Sequence, residues 1–321
     1  MAAPISVAMI GLGRMGQVHA RILAQGVEGA RLTALADVDA ERARLAAEQL
    51  GVARWFDDPD ELLAAGDVQA VVIAAPSHLH LGLVQAAARA GMAILCEKPL
   101  ALTLAETDRA ITAAARAGVP LQVGFMRRTQ PAYLGMKQAI EAGEVGWPSL
   151  FRSTQRDSEA PPASFCDPAV SGGILVDMGI HEFDLGRWLL RDEVESVQAF
   201  VGAGVFPEIA AVGDYDSAVV NLRFRGGAVG TVDLSRGARY GEDIRSEVVG
   251  SKGGTFAGAP PGSRLPAWPM ADDAYRPQMQ AFVNAVRSGG PLVATGADSR
   301  AALAIGLAAR RSAESGGVVS L

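Results

Sequence analysis

Three short stretches of this 321-residue chain carry the side chains best suited to chemistry. The first is Gly11-Leu12-Gly13-Arg14-Met15-Gly16. Glycine at the first position permits a tight turn, at the second lets the main chain approach a pyrophosphate, and at the last lets a helix lie close to a strand. A helix opening there turns its free N–H groups and positive dipole end toward phosphate oxygens. Asp37 follows Gly16 by 37 − 16 = 21 residues, where a carboxylate can accept hydrogen bonds from ribose hydroxyls. The competing use of Asp37, as a helix cap, can be met by Asp39. Val38 offers no positive partner to a 2′-phosphate, so the pattern predicts NAD rather than NADP, with Arg42 in the next helix working against that preference.

The second stretch comprises two strand ends, Ala75-Pro76-Ser77-His78-Leu79-His80 and Glu97-Lys98-Pro99. His78 and His80 lack a cysteine or carboxylate at metal-ligand spacing, so no metal is expected. Contacts to the phosphate or nicotinamide side of a dinucleotide remain for Ala75, Pro76, His78 and His80, as does simple capping. A lysine beside a cofactor can donate to the oxygen of a carbinol and stabilise developing negative charge. The bland alternative for Glu97 and Lys98 is a solvated ion pair, with Pro99 fixing the turn, a cis bond being one way to do so. The third stretch is Asp177-Met178-Gly179-Ile180-His181-Glu182-Phe183-Asp184. In one helix, Asp177 and His181 share a face, and a histidine steadied by a carboxylate can abstract a hydroxyl proton. The same pair can equally be a capped structural histidine.

These groups need elements to hold them. Up to Gly124 strand-like and helix-like segments alternate: strands at 5–10, 31–36, 68–74, 92–96 and 120–124, helices at 15–25, 41–50, 81–90 and 104–117. That alternation predicts a doubly wound parallel sheet, the Rossmann type of α/β domain, over residues 1–124. Thr103-Leu104-Ala105-Glu106 has capping-box spacing. From 125 to 321 the pattern predicts an α+β domain: helices at 132–142 and 172–190, then strands at 150–154, 196–206, 217–224, 228–234 and 245–249 in an open, mostly antiparallel sheet. Two closing helices, 279–288 and 299–314, are free to pack back on the first domain.

Composition narrows the partners. The charge count is 29 − 35 = −6, and no block of five like charges occurs, so neither nucleic acid nor an anionic membrane is an expected partner. No apolar run approaches the ~18 residues of a membrane span. The apolar start through Ile10 has no preceding Lys or Arg and runs into the glycine turn, so it reads as a strand and not as a signal peptide. Two cysteines, Cys96 in a strand and Cys166 in a loop, fit a reducing cytoplasm without a disulfide.

Taken in order, the glycine turn, Glu97-Lys98-Pro99 and Asp177…His181 resemble the Gfo/Idh/MocA oxidoreductase family over essentially the whole chain. Within it, Gly124-Phe125-Met126-Arg127-Arg128, Phe151-Arg152-Ser153-Thr154, Ser171-Gly172-Gly173-Ile174-Leu175-Val176-Asp177 and Val248-Val249-Gly250-Ser251-Lys252-Gly253 are most similar to the inositol dehydrogenases. The resemblance implies Lys98, Asp177 and His181 as the catalytic set, NAD as cofactor, and a second domain that lines the substrate and forms homo-oligomer contacts. It implies Met126, Arg127, Gln155, Asp157 and Tyr240 as further substrate residues. Gln155-Arg156-Asp157 departs from the His-Arg-Asn of some inositol dehydrogenases, which leaves the choice between inositol isomers and pyranoses open. The substrate implied is an uncharged cyclic polyol. If extended, Arg127 and Arg128 point to opposite faces and cannot clamp a carboxylate together. A redox-neutral glycosidase that retains NAD and a non-catalytic NAD-binding sensor are the family's other outcomes, and the intact Lys98, Asp177 and His181 argue against the sensor.

Overall fold

Ala70–Ile73 and Ala93–Cys96 are apolar on both faces and buried at every position. Such strands fit only the middle of a sheet covered on both sides. The computed structural model, which describes residues 3–258 and 272–321, places them there. Its first sheet comprises β1 (Ile5–Ile10), β2 (Ala30–Ala36), β3 (Trp55–Phe56), β4 (Ala70–Ile73), β5 (Ala93–Cys96) and β6 (Leu121–Val123) in the order β3-β2-β1-β4-β5-β6. Every neighbouring pair is parallel. The order reverses between β1 and β4, and beyond the carboxyl ends of such a pair open α/β sheets bind ligands.

The described residues divide into two compact units, one of 3–129 with 272–300 and the other of 130–258 with 301–321. The first therefore ends a few residues past Gly124 and takes in a late helix, Asp272–Ser288. Met279, Phe282 and Val283, spaced to share one helical face, are buried in the same core as Val7, Met9, Leu35 and Ile22. Thr103 caps Leu104–Ala117 as its spacing predicts: its hydroxyl accepts from the Glu106 N–H at 3.2 Å and donates to the Glu106 carboxylate at 2.9 Å. β3 and the helix Pro59–Ala64 were not foreseen, because β3 has only two residues between Arg54 and Asp57 and shows no alternation.

In the second unit β7 (Pro148–Asp157), β8 (Val194–Gly202), β9 (Ser217–Phe224), β10 (Val229–Arg236), β11 (Asp243–Gly250), β12 (Gly254–Ala257) and β13 (Val319–Ser320) form one sheet, ordered β12-β11-β7-β10-β9-β8-β13. Only β7 and β10 pair in parallel. The helix Gly179–Leu190 packs on β7 and β10. Glycine permits the close approach: a Cβ on Gly186 would stand 2.9 Å from the Phe151 ring. A buried carboxylate pins the same helix, since Glu182 accepts from the Ser153 hydroxyl, which also meets Ser246 Oγ at 2.7 Å.

The single helix expected over 172–190 is instead two, Ile174–Asp177 and Gly179–Leu190. Gly172 and Gly173 have φ of 86° and 70°, a left-handed conformation that delays the start to Ile174. The His181 N–H then bonds the Met178 carbonyl, three residues back, at 3.2 Å.

Candidate active site

The first unit builds a dinucleotide cradle. Gly11 has φ 86°, and a Cβ there would lie 2.7 Å from Ala75 N, against the end of β4. A Cβ on Gly16 would meet the Gly11 carbonyl oxygen at 1.8 Å, so strand and helix touch main chain to main chain. Around Gly13, by contrast, a Cβ would find nothing within 4 Å. The helix Arg14–Gln25 opening there has no side-chain cap and no acidic residue in its first turn. Uncapped N–H groups facing open space suit a diphosphate.

Asp37, 6% exposed, accepts from the Leu12 N–H at 2.6 Å, the Asp39 N–H at 3.0 Å and the Arg42 guanidinium at 3.0 Å. It ties the glycine turn to the end of β2, while Asp39, not Asp37, caps the next helix. Val38 is exposed. These residues fit NAD.

At the end of β4, His78 is exposed in the turn Ser77–Leu79. His80 is buried, its Nδ1 2.8 Å from the Pro99 carbonyl and its Nε2 2.8 Å from the Ala75 carbonyl. A neutral imidazole has one N–H, so His80 donates to one of these carbonyls at a time, and neither ring nitrogen is presented to solvent. Burial pushes its pKa down, against the two carbonyls and the Glu97 charge, which push it up. The Lys98–Pro99 peptide bond is cis. Glu97 is buried, with His19 Nε2 at 2.7 Å from one oxygen and the Lys98 N–H donating to the other at 3.2 Å. Burial raises the Glu97 pKa, but the His19 hydrogen bond and the charges of His19 and Lys98 outweigh it and hold it low.

Met126, Arg127 and Arg128 are not extended but lie in one tight helical turn, Met126–Thr129, and all three are buried. Arg128 donates to the Val293 carbonyl at 3.1 Å and to Asp298 at 2.9 Å. These bonds engage its guanidinium, a firmer reason against a two-arginine clamp than strand alternation.

In the second unit Asp177 ends its short helix and His181, 7% exposed, lies in the next. Arg236, fully buried, places its guanidinium 3.5 Å from Asp177 Oδ2 and 3.1 Å from Asp214 Oδ2. Asp214 in turn accepts the Ile174 N–H at 3.0 Å, and a Cβ on Gly173 would stand 2.4 Å from its Oδ1. Gln155 donates to Asp157 at 3.3 Å, and Asp157 is in register with Arg236. Gln155, Asp157 and Arg236 thus share one face of the sheet. Tyr240 is not brought there: its hydroxyl accepts from Arg156 at 2.9 Å and donates to Asp243 at 3.2 Å, and Arg156 and Asp243 are paired on the opposite face.

Arg236, Asp214 and His19 escaped the reading of the sequence. Arg236 had left a signal, since it continues the inward alternation Val232, Leu234 where an apolar residue belongs. Among the described residues no three His, Cys, Asp or Glu side chains are grouped to hold a metal, and no helix is long and apolar enough to cross a membrane. Cys96 and Cys166 are both free and buried.

Comparison with known proteins agrees with the fold and the dinucleotide cradle. Residues 5–125 match the Gfo/Idh/MocA oxidoreductase family with its NAD-binding Rossmann fold, and residues 133–255 match the C-terminal domain of the same family. Myo-inositol 2-dehydrogenase of Thermotoga maritima is 40% identical, over 96% of each chain. The NAD-dependent scyllo-inositol 2-dehydrogenase of Bacillus subtilis is 38% identical over 99% of this chain and 96% of its own. Among solved structures, scyllo-inositol dehydrogenase of Lactobacillus casei with bound NAD(H) and scyllo-inositol superposes with a TM-score of 0.90 at 27% identity, covering 99% of both chains. The chain is a member of the Gfo/Idh/MocA family of NAD-binding oxidoreductases.

Proposed function

We propose that the protein oxidises one ring hydroxyl of an inositol, or of a pyranose of similar shape, to the ketone. The observation that carries this reading is a complete set of chemical groups, the glycine cradle with Asp37, then Lys98, then Asp177 and His181, in a chain 38–40% identical to inositol dehydrogenases. His181 takes the hydroxyl proton as general base. Asp177 orients the imidazole and supports its positive form, and Arg236 keeps that carboxylate in place. Lys98 donates to the reacting oxygen and stabilises the negative charge that develops on it. Bound NAD supplies the hydride acceptor. Met126, Arg127, Gln155 and Asp157 recognise the remaining hydroxyls, and the Asp157 carboxylate is the strong acceptor among them.

Two further assignments go with this reading. The protein acts as a homo-oligomer through the open face of the second sheet, where Phe200, Val219, Val229 and Phe256 are exposed and their strand pairings set them on one side. The free thiols Cys96 and Cys166 support a cytoplasmic setting.

The test is initial NADH formation from NAD with myo-inositol, scyllo-inositol, D-chiro-inositol, glucose and lactate at equal concentration. An inositol isomer or glucose should lead, with lactate inert. Lactate ahead of every ring polyol, or no net NADH from any of them, overturns the assignment. Light scattering at micromolar concentration tests the oligomer, which a monomeric mass would exclude.

A further inference from the structure

We propose that His19, on the helix that opens the dinucleotide cradle, is a positioning residue for Lys98 and acts through the Glu97 carboxylate. The proposal rests on the role of Lys98 given above. His19 is fully buried in Arg14–Gln25, and the contacts of Glu97 make a short path. His19 Nε2 lies 2.7 Å from Glu97 Oε1, and Glu97 Oε2 accepts the main-chain N–H of Lys98 at 3.2 Å. Two hydrogen bonds therefore join the cradle helix to the backbone of the lysine.

The surroundings are built around that carboxylate. A Cβ at residue 124 would stand 2.9 Å from the Glu97 carboxyl carbon, so glycine there leaves the room the carboxylate fills. On the imidazole, the Tyr275 ring makes an edge contact at 5.4 Å and 86°. His19 Nδ1 has no hydrogen-bond partner among the described residues, so among them the Glu97 bond is the ring's one hydrogen bond. A buried polar side chain with a single polar engagement is expensive to keep, and here that engagement is the group that holds Lys98. Without His19, Glu97 would be a buried carboxylate short of a donor, free to rotate or take up a proton, and the Lys98 turn would lose its tether. Burial alone favours that outcome, and the His19 contact opposes it.

The experiment compares His19→Ala and His19→Gln with the wild-type protein. A glutamine amide N–H can occupy the place of the imidazole Nε2–H. In steady-state turnover with NAD and the best polyol, His19→Ala should lower kcat by ~10- to 100-fold, the scale of an ångström-sized misplacement of a catalytic group. Both KM values should change by less than about 3-fold, because the cradle and the hydroxyl-binding residues are untouched. His19→Gln should recover most of the loss. A second readout needs neither cofactor nor turnover: amide exchange at Lys98 in the unliganded protein should quicken in His19→Ala and return toward wild type in His19→Gln.

A wild-type kcat or unchanged Lys98 exchange in His19→Ala overturns the proposal. So does faster exchange spread evenly over the first unit, or a kcat loss that glutamine leaves unrepaired. If the wild-type protein forms no NADH from any polyol, the proposed function fails, while the exchange measurement still decides whether His19 holds the Lys98 turn.

Discussion

Replacing Arg236 by methionine keeps most of the side-chain volume and removes one buried positive charge between two carboxylates. At an effective dielectric of about 20, unit charges attract by about 5 kcal/mol at the 3.1 Å Asp214 separation and slightly less at the 3.5 Å Asp177 separation. Desolvation of the guanidinium, several kcal/mol, offsets most of that when the network is intact. The variant loses the attraction and leaves both carboxylates behind, with the Ile174 N–H as partial compensation for Asp214. The expected cost is therefore about 3–5 kcal/mol, the range for breaking a buried pair from one side. At ~2–4 °C per kcal/mol for a unit of this size, Tm should fall by roughly 6–20 °C. Differential scanning calorimetry reads the transition, and turnover after refolding reads the orientation of Asp177. Adding Asp214→Asn should return about 2 kcal/mol, because it removes one of the stranded charges. Arg236→Lys, which keeps the charge, should fall between the two. A melting point within 2 °C of wild type, or strict additivity of Arg236→Met and Asp214→Asn, would refute the reasoning.

His181→Ala and Lys98→Ala should each lower kcat by ~10²–10⁴-fold while NAD binding, followed by fluorescence, persists; near-normal turnover in either means the roles are misassigned. Asp37→Ser should weaken NAD use and narrow its advantage over NADP in kcat/KM, since the carboxylate that organises Leu12 and repels a 2′-phosphate is gone; a wild-type preference for NADP would contradict this. His80 and Glu97 both have depressed values in the fold, so below about pH 6.5 for His80 and about 4.3 for Glu97 the unfolded chain binds the extra proton. Stability should be fully present above those values and decline as pH falls through the lower folded ones. Melting curves from pH 8 to about 2.5 should show this slope, and His80→Gln should flatten its upper part.

Most of the scaffold could be read from periodicity. The two-sided apolar runs at 70–73 and 93–96, the glycine turn and the Thr103–Glu106 cap each announce themselves within a few residues. What could not be read depends on partners far away in the chain. Nothing local says that Met279, Phe282 and Val283 complete the core under β1 and β2, because an amphipathic stripe does not name the surface it covers. The late start of the helix at Ile174 follows from two left-handed glycines and from Asp214, some forty residues on. The site divides in the same way. Lys98, Asp177 and His181 stand in recognisable motifs, but His19 beside Glu97 and Arg236 between Asp177 and Asp214 are single polar residues in otherwise apolar or unremarkable settings. The Tyr240 hydroxyl went to the Arg156 side because a tyrosine in a loop can serve either face, and only the Arg156–Asp243 pairing decides which.

Strand β7 lends its two sides to different tasks. Ser153, Gln155 and Asp157 face one way, toward the helix that carries His181, while Arg152, Thr154 and Arg156 look out over the open face beside Glu247 and Asp233. Adjacent residues are thus under unrelated demands, and the strand can diverge at odd positions without disturbing even ones. A lineage can vary residues 155 and 157 while the open face stays constant, and the open face can change through 152 and 156 while the side toward the helix is kept. The same economy makes the strand intolerant of insertion: one added residue before Ser153 would exchange the two sets and spoil both tasks in a single step.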